Sequence, residues 1–150
     1  MTAITPLAAM HGTLESMAEK FTDALPPQID ANKFISVAKT TLTMNPSLLN
    51  ADKTSLLATF MKAAQDGLLL DGKEAAAVKY GNSIQYLPML EGVLKTLHNS
   101  GLIKTISAEV VYEKDLFDYE LGSTPKITHK PLITGDRGKP ICVYSVAVTT

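Results

Sequence analysis

The stretch Asp71–Pro131, DGKEAAAVKYGNSIQYLPMLEGVLKTLHNSGLIKTISAEVVYEKDLFDYELGSTPKITHKP, changes its hydrophobic period twice. Two strand-like runs, 74–80 and 83–87, flank Gly81-Asn82, a dipeptide suited to a tight hairpin turn. Pro88 then stands where a first helical residue belongs, and Leu90, Val93, Leu94 and Leu97 recur at helical spacing as an apolar face that Gly101 ends. From Thr105 the period returns to two. Ile106, Ala108, Val110 and Tyr112 share one face, and Ser107, Glu109 and Glu113 share the other. Lys114-Asp115 reads as a turn into 116–121, and 126–130 as a further short strand.

Upstream, the pattern is helical throughout. Leu14, Met17, Ala18, Phe21 and Leu25 predict one helix that Pro26-Pro27 stops. Asp30 is placed to cap a second, with Phe34, Val37, Ala38 and Leu42 inward, and Asn45-Pro46 breaks it. Asp52 or Thr54 opens a third, facing the core with Leu56, Leu57, Phe60, Met61 and Ala64 and closing at Gly67. Residues 1–12 read as a flexible tail, and 13–150 as a single domain. Downstream, Gly135-Asp136-Arg137-Gly138 reads as a turn. The run 141–148 is apolar on both faces, which predicts a central buried strand with Cys142 as an inert buried thiol. The strand-like ending Pro140–Thr150 has no turn or cap behind it, so further residues are expected after Thr150. The pattern predicts an α+β fold: N-terminal amphipathic helices packed with a largely antiparallel sheet of hairpins and one internal helix.

At 150 residues the chain has the size of one ordinary domain with one core. A net charge of −1 argues against a generally basic nucleic-acid binder but leaves room for a local stripe. A single cysteine excludes an internal disulfide and a cysteine-based zinc cluster, and fits a reducing compartment. No apolar run approaches the roughly 18 residues of a membrane span, and no signal-peptide pattern opens the chain.

The parts of a catalytic centre are missing. There is no Gly-x-Ser-x-Gly elbow and no phosphate-binding loop, and His11, His98 and His129 are scattered. Glu109, Glu113, Asp115, Asp118 and Glu120 form an acidic cluster that reads as the wet face and turn of a hairpin, with a nuclease metal site as the competing reading. A basic segment follows it: Lys126, Lys130, Arg137 and Lys139 against Asp136 alone after residue 121. Tyr80, Tyr86 and Tyr144 are candidates for base stacking, although the sheet has its own use for half-buried tyrosines.

The order of the short motifs carries more. Gln65-Asp66-Gly67-Leu68, Asp71-Gly72-Lys73-Glu74-Ala75, Pro88-Met89-Leu90-Glu91-Gly92 and Asn99-Ser100-Gly101 follow one another. Then come Val111-Tyr112-Glu113 with Asp115 and Phe117, His129-Lys130-Pro131 and Asp136-Arg137-Gly138. This series, over about residues 45–148, resembles the RecT-type single-strand annealing proteins of phages and prophages. Two departures stand out: His98 replaces an arginine common before Asn-Ser-Gly, and Leu90-Glu91-Gly92 replaces the Tyr-Lys-Gly of another branch.

The resemblance implies a recombination protein that binds single-stranded DNA and anneals complementary strands without ATP, as an oligomeric ring or filament and with no covalent catalysis. Its implied partners are single-stranded DNA, the annealed duplex intermediate and further copies of itself, with a phage exonuclease and a host single-strand-binding protein beside it. No cofactor, metal or membrane is implied, and the implied setting is the cytoplasm of a bacterial host. Resemblance and charge together select Lys73, Lys95, Lys104, Lys130, Arg137 and Lys139 as backbone contacts, with Asn99, Ser100 and His129 as neutral hydrogen-bonding groups. Two alternatives stay open: a metal-dependent nuclease using Glu109, Asp115 and Asp118, and an oligomerisation scaffold with no DNA role.

Overall fold

The computed structural model describes residues 5–150, and its contacts divide the chain into two compact units that meet in sequence at Asn99 and Ser100. The fold is α+β. Its strands form three separate antiparallel ladders of two strands each among the described residues.

The first unit contains α1 (Pro6–Ser16), α2 (Ala18–Ala24), α3 (Ala31–Met44), a 3-10 turn (Pro46–Asn50), α4 (Lys53–Asp66), the hairpin β1 (Ala75–Tyr80) and β2 (Ser83–Pro88), and α5 (Leu90–Asn99). Local chemistry sets the helix ends. Asp30 accepts the Lys33 N–H at 2.8 Å to cap α3, and Asp52 accepts the Ser55 N–H at 2.7 Å to cap α4. Gly67 closes α4 at φ +65, a conformation that costs a side chain dearly. The apolar stripes of α1 to α4 meet in one core, where Leu14, Phe21, Phe34, Leu42, Leu56 and Phe60 are fully buried. Each such side chain contributes about 1.5–3 kcal/mol relative to exposure. The β1–β2 hairpin is tied to α4 by Ser55 Oγ, which accepts the Ile84 N–H at 2.9 Å, and by Thr59 Oγ1, which donates to the Ile84 carbonyl at 3.3 Å.

Four expectations shift in this unit. The stretch 1–12 carries α1 from Pro6 onward, with Thr5 Oγ1 accepting the Ala8 N–H at 3.2 Å, while residues 1–4 lie outside the described residues. The single helix predicted from Leu14 to Leu25 breaks at Met17, where Ser16 Oγ donates to the Thr13 carbonyl at 2.7 Å and competes with the backbone ladder. Pro88 ends β2 instead of starting a helix, because it stands opposite Ala75 in the ladder and the next amide, Met89, donates to the Glu74 carbonyl at 2.9 Å. Finally, α5 packs through its small face. Gly92 is its buried residue, and a Cβ there would sit 2.0 Å from the Glu74 carbonyl oxygen, whereas Leu90 and Val93 of the apolar stripe are exposed.

The second unit pairs β3 (Ile103–Tyr112) with β6 (Pro140–Thr149), and β4 (Leu116–Glu120) with β5 (Lys126–Lys130). Opposed residues share a face. Phe117, His129, Tyr119 and Ile127 therefore form one face of the β4–β5 hairpin, and Tyr144 of β6 meets it, its ring stacked 5.7 Å from Phe117. Tyr144 stands opposite Glu109, so the odd-numbered face of β3 turns toward the hairpin and Val111 is its buried residue. On the other face of β3, Ile106 is half-buried and Val110 exposed. The strand around 141–148 is not central. Among the described residues β6 pairs with β3 alone, and Ile141, Val143, Val146 and Val148 are exposed, as is Cys142.

Candidate nucleic-acid interface

The second unit is organised around one carboxylate. Asp115, in the turn between β3 and β4, has no exposed side-chain surface. It receives the Tyr112 N–H at 3.0 Å, the Leu132 N–H at 2.9 Å, His129 Nε2 at 3.1 Å, and the Arg137 fork through Nε at 3.0 Å and Nη2 at 2.5 Å. A carboxylate offers about four lone-pair directions, so these donors saturate it. The Arg137 hydrogen bonds, with those of Leu132, Tyr112 and His129, hold the Asp115 carboxyl well below the usual carboxylate range against the opposing effect of burial. In return, the carboxylate raises Arg137 further. The guanidinium also lies over the Tyr112 ring, 4.2 Å from its centre, a cation–π contact.

His129 completes the node. Its Nδ1 lies 3.1 Å from the Tyr144 hydroxyl and its ring meets Phe117 edge-on at 5.8 Å. A proton on Nε2 satisfies both sides, since that nitrogen donates to Asp115 and Nδ1 accepts from the tyrosine. Segment 137–139 is sewn to the same turn. Lys114 N–H donates to the Arg137 carbonyl at 3.1 Å, Glu113 N–H to the Lys139 carbonyl at 3.0 Å, and Lys139 N–H to Glu113 Oε2 at 3.2 Å.

Against this geometry the residues selected from sequence fall into two groups. Lys73, Asn99, Ser100, Lys104, Lys130 and Lys139 are exposed, and among the described residues none of the four lysines has a carboxylate in ion-pair range. The other three are engaged inside the protein. Lys95 Nζ lies 2.7 Å from Glu74 Oε2 and donates to the Gly67 carbonyl at 3.2 Å, clamping α5 to the start of the hairpin. His129 is almost wholly buried, and Arg137 turns its fork onto Asp115. Lys104, Lys130 and Lys139 belong to one unit and Lys73 to the other. Lys126 is exposed on the same hairpin face as Lys130, opposite Glu120.

Sequence reasoning missed the role of Asp115, which it counted with the acidic cluster. The cluster does not converge. Asp118 stands opposite Thr128 and Glu109 opposite Tyr144, and no group of three His, Cys, Asp or Glu side chains among the described residues could hold a metal ion. The available signal was the pairing of an acid in a tight turn with His-Lys-Pro and Asp-Arg-Gly downstream. Of the tyrosines, Tyr80 is exposed. Tyr86 donates to Asp66 at 2.9 Å, and burial together with that carboxylate pushes its phenol up. Tyr144 lies in the aromatic cluster. No helix among the described residues is long and apolar enough to cross a membrane.

The sequence matches the RecT family over residues 32–150. It is 31% identical over 143 residues to Protein RecT of Escherichia coli strain K12, an alignment that covers 88% of this chain and 52% of that protein. The chain thus spans about half the length of the curated relative it matches.

Proposed function

The chain belongs to the RecT family, and from that premise we propose that it binds single-stranded DNA and promotes the annealing of complementary strands in homologous recombination. It does so as an oligomer, without ATP and without making or breaking covalent bonds. The observation that carries this reading is the family match across both structural units, from residue 32 to residue 150.

The exposed lysines support it. Among the described residues Lys104, Lys130 and Lys139, in the unit from Ser100 onward, have no carboxylate in ion-pair range, while Asp115 is neutralised in its interior. Such groups neutralise phosphates without reading sequence. Base pairing then supplies the specificity, and the protein's part is to reduce repulsion between two strands held with their bases accessible. The nuclease alternative has no converging ligand set to start from, since the Asp115 carboxylate is saturated by protein donors.

Two complementary fluorescent oligonucleotides, mixed with and without protein at two salt concentrations and with no ATP or metal, test the reading. The expected result is faster annealing that weakens with salt and leaves DNA length unchanged. Light scattering on the same mixture should report assembly on the strand. No acceleration and no salt-dependent retention of single strands would overturn it.

A further inference from the structure

The node around Asp115 has a consequence for DNA binding that rests on the reading just given. We propose that Asp115 is a positioning residue for the phosphate contacts: it never meets DNA, but it sets where Lys130 and Lys139 present their charges. Arg137 acts through the same hold, with its fork directed at Asp115.

The geometry argues for this from the backbone outward. Asp115 fixes His129 on one side of Lys130 and Leu132 on the other. It therefore brackets the strand end from which the Lys130 side chain projects, on the hairpin face opposite to Phe117 and His129. It fixes Arg137 as well, and the main-chain bonds of Arg137 and Lys139 to Lys114 and Glu113 carry that hold two residues further. A lysine is a point charge on a flexible stem, so its usefulness to a regular row of phosphates depends on how firmly its own Cα is held. Lys130 is also held by its ladder partner Leu116 and Lys139 by Glu113, and Asp115 is the side chain that joins the two segments. The loop 131–139 has no strand pairing, and among the described residues β5 pairs with β4 alone.

Charge alone predicts the opposite sign to positioning, which makes the inference testable. Asp115→Asn removes a negative charge from the unit that carries Lys130 and Lys139, so long-range electrostatics would tighten binding to DNA. Positioning predicts a rise in Kd of about tenfold and a salt slope shallower by about 1.4, two phosphate contacts at about 0.7 each on a single strand. The probe is a fluorescent oligothymidylate titrated with the 150-residue chain at several salt concentrations, with circular dichroism confirming that each variant is folded. Arg137→Lys keeps the charge, loses the fork, and should show the same loss, which covers the case in which Asp115→Asn does not fold. In the Asp115→Asn background, the added penalty of Lys130→Gln should shrink, a coupling that a merely less stable protein would not show.

Folded Asp115→Asn and Arg137→Lys variants that bind like the original chain, while Lys130→Gln alone weakens binding, would overturn this inference and leave the DNA reading standing. An original chain with no salt-dependent binding would overturn both.

Discussion

The unit that ends at Asn99 completely buries Phe21, Phe34 and Phe60, whereas in the unit from Ser100 onward the wholly covered side chains are Val111 and the carboxylate Asp115. One is held by hydrocarbon, the other by a saturated ion cluster with aromatic walls. The difference shows in what each leaves outside. The first unit exposes few large apolar groups on α1 to α4, while the second leaves Leu121, Ile133, Ile141 and Val143 in solvent. Hydrocarbon packing holds no titrating group, whereas an ion cluster responds to pH. The unit richer in candidate phosphate contacts is thus the one whose integrity depends on charge.

The largest expected effect lies in the first unit. Phe60→Ala should cost about 3–5 kcal/mol in urea unfolding, because it removes a fully buried ring from the core cluster. The matching cut in the second unit, Ile141→Ala, should stay within about 0.5 kcal/mol, since that side chain is 57% exposed. Equal losses would mean that β6 is covered in solution, and the contrast between the units would fail.

The second prediction concerns pH. Asp115 has its carboxyl lowered in the folded state, foremost by Arg137, so the stability it adds is whole above its ordinary value of 3.8 and is lost as pH falls from there toward the depressed folded value. Asp115→Asn should therefore unfold more readily than the original chain by a constant margin from neutrality down to about pH 4, and the margin should narrow below that. Thermal melts at pH 7, 5 and 3, followed by tyrosine near-ultraviolet signals, give the comparison. A margin that widened in acid would mean that Asp115 does not carry the charge of the node.

How far the sequence foretold these units follows the same division. Helical stripes and caps are local, so Asp30, Asp52 and Gly67 could be placed from their neighbours alone. The hairpin at Gly81-Asn82 was equally local. The inward face of β3 was not legible. It is set by Tyr144, 35 residues beyond its partner Glu109, and no periodicity within β3 records that. The same holds for Lys95 and Arg137. A lysine on a helix and an arginine in a turn look solvated until Glu74 and Asp115 are brought beside them. Charge read along the chain cannot see which charges pair across the fold. The apolar run in β6 misled for a related reason: apolarity on both faces measures the tendency to be covered, and the β3 ladder with the β4–β5 hairpin covers only part of it.

The smallest expected effects make the sharpest comparison, because they set one lysine against another. Lys95 and Lys130 were selected on the same grounds of charge and motif, yet the fold gives them different work. Lys95→Gln leaves the largely covered Glu74 carboxylate with the Leu69 N–H but no cation, and should cost about 1 kcal/mol, modest because the pair is partly exposed. Its salt slope on single-stranded DNA should match that of the original chain. Lys130→Gln should do the reverse, changing stability by less than about 0.5 kcal/mol and reducing the slope by about 0.7. Urea unfolding and oligonucleotide titration on the same two variants measure both quantities. If Lys95→Gln flattens the slope as Lys130→Gln does, the clamp on Glu74 opens when DNA arrives, and ion pairing in the free protein would no longer separate structural from binding lysines. If the two effects stay crossed, the division between clamped and free cations marks the binding surface.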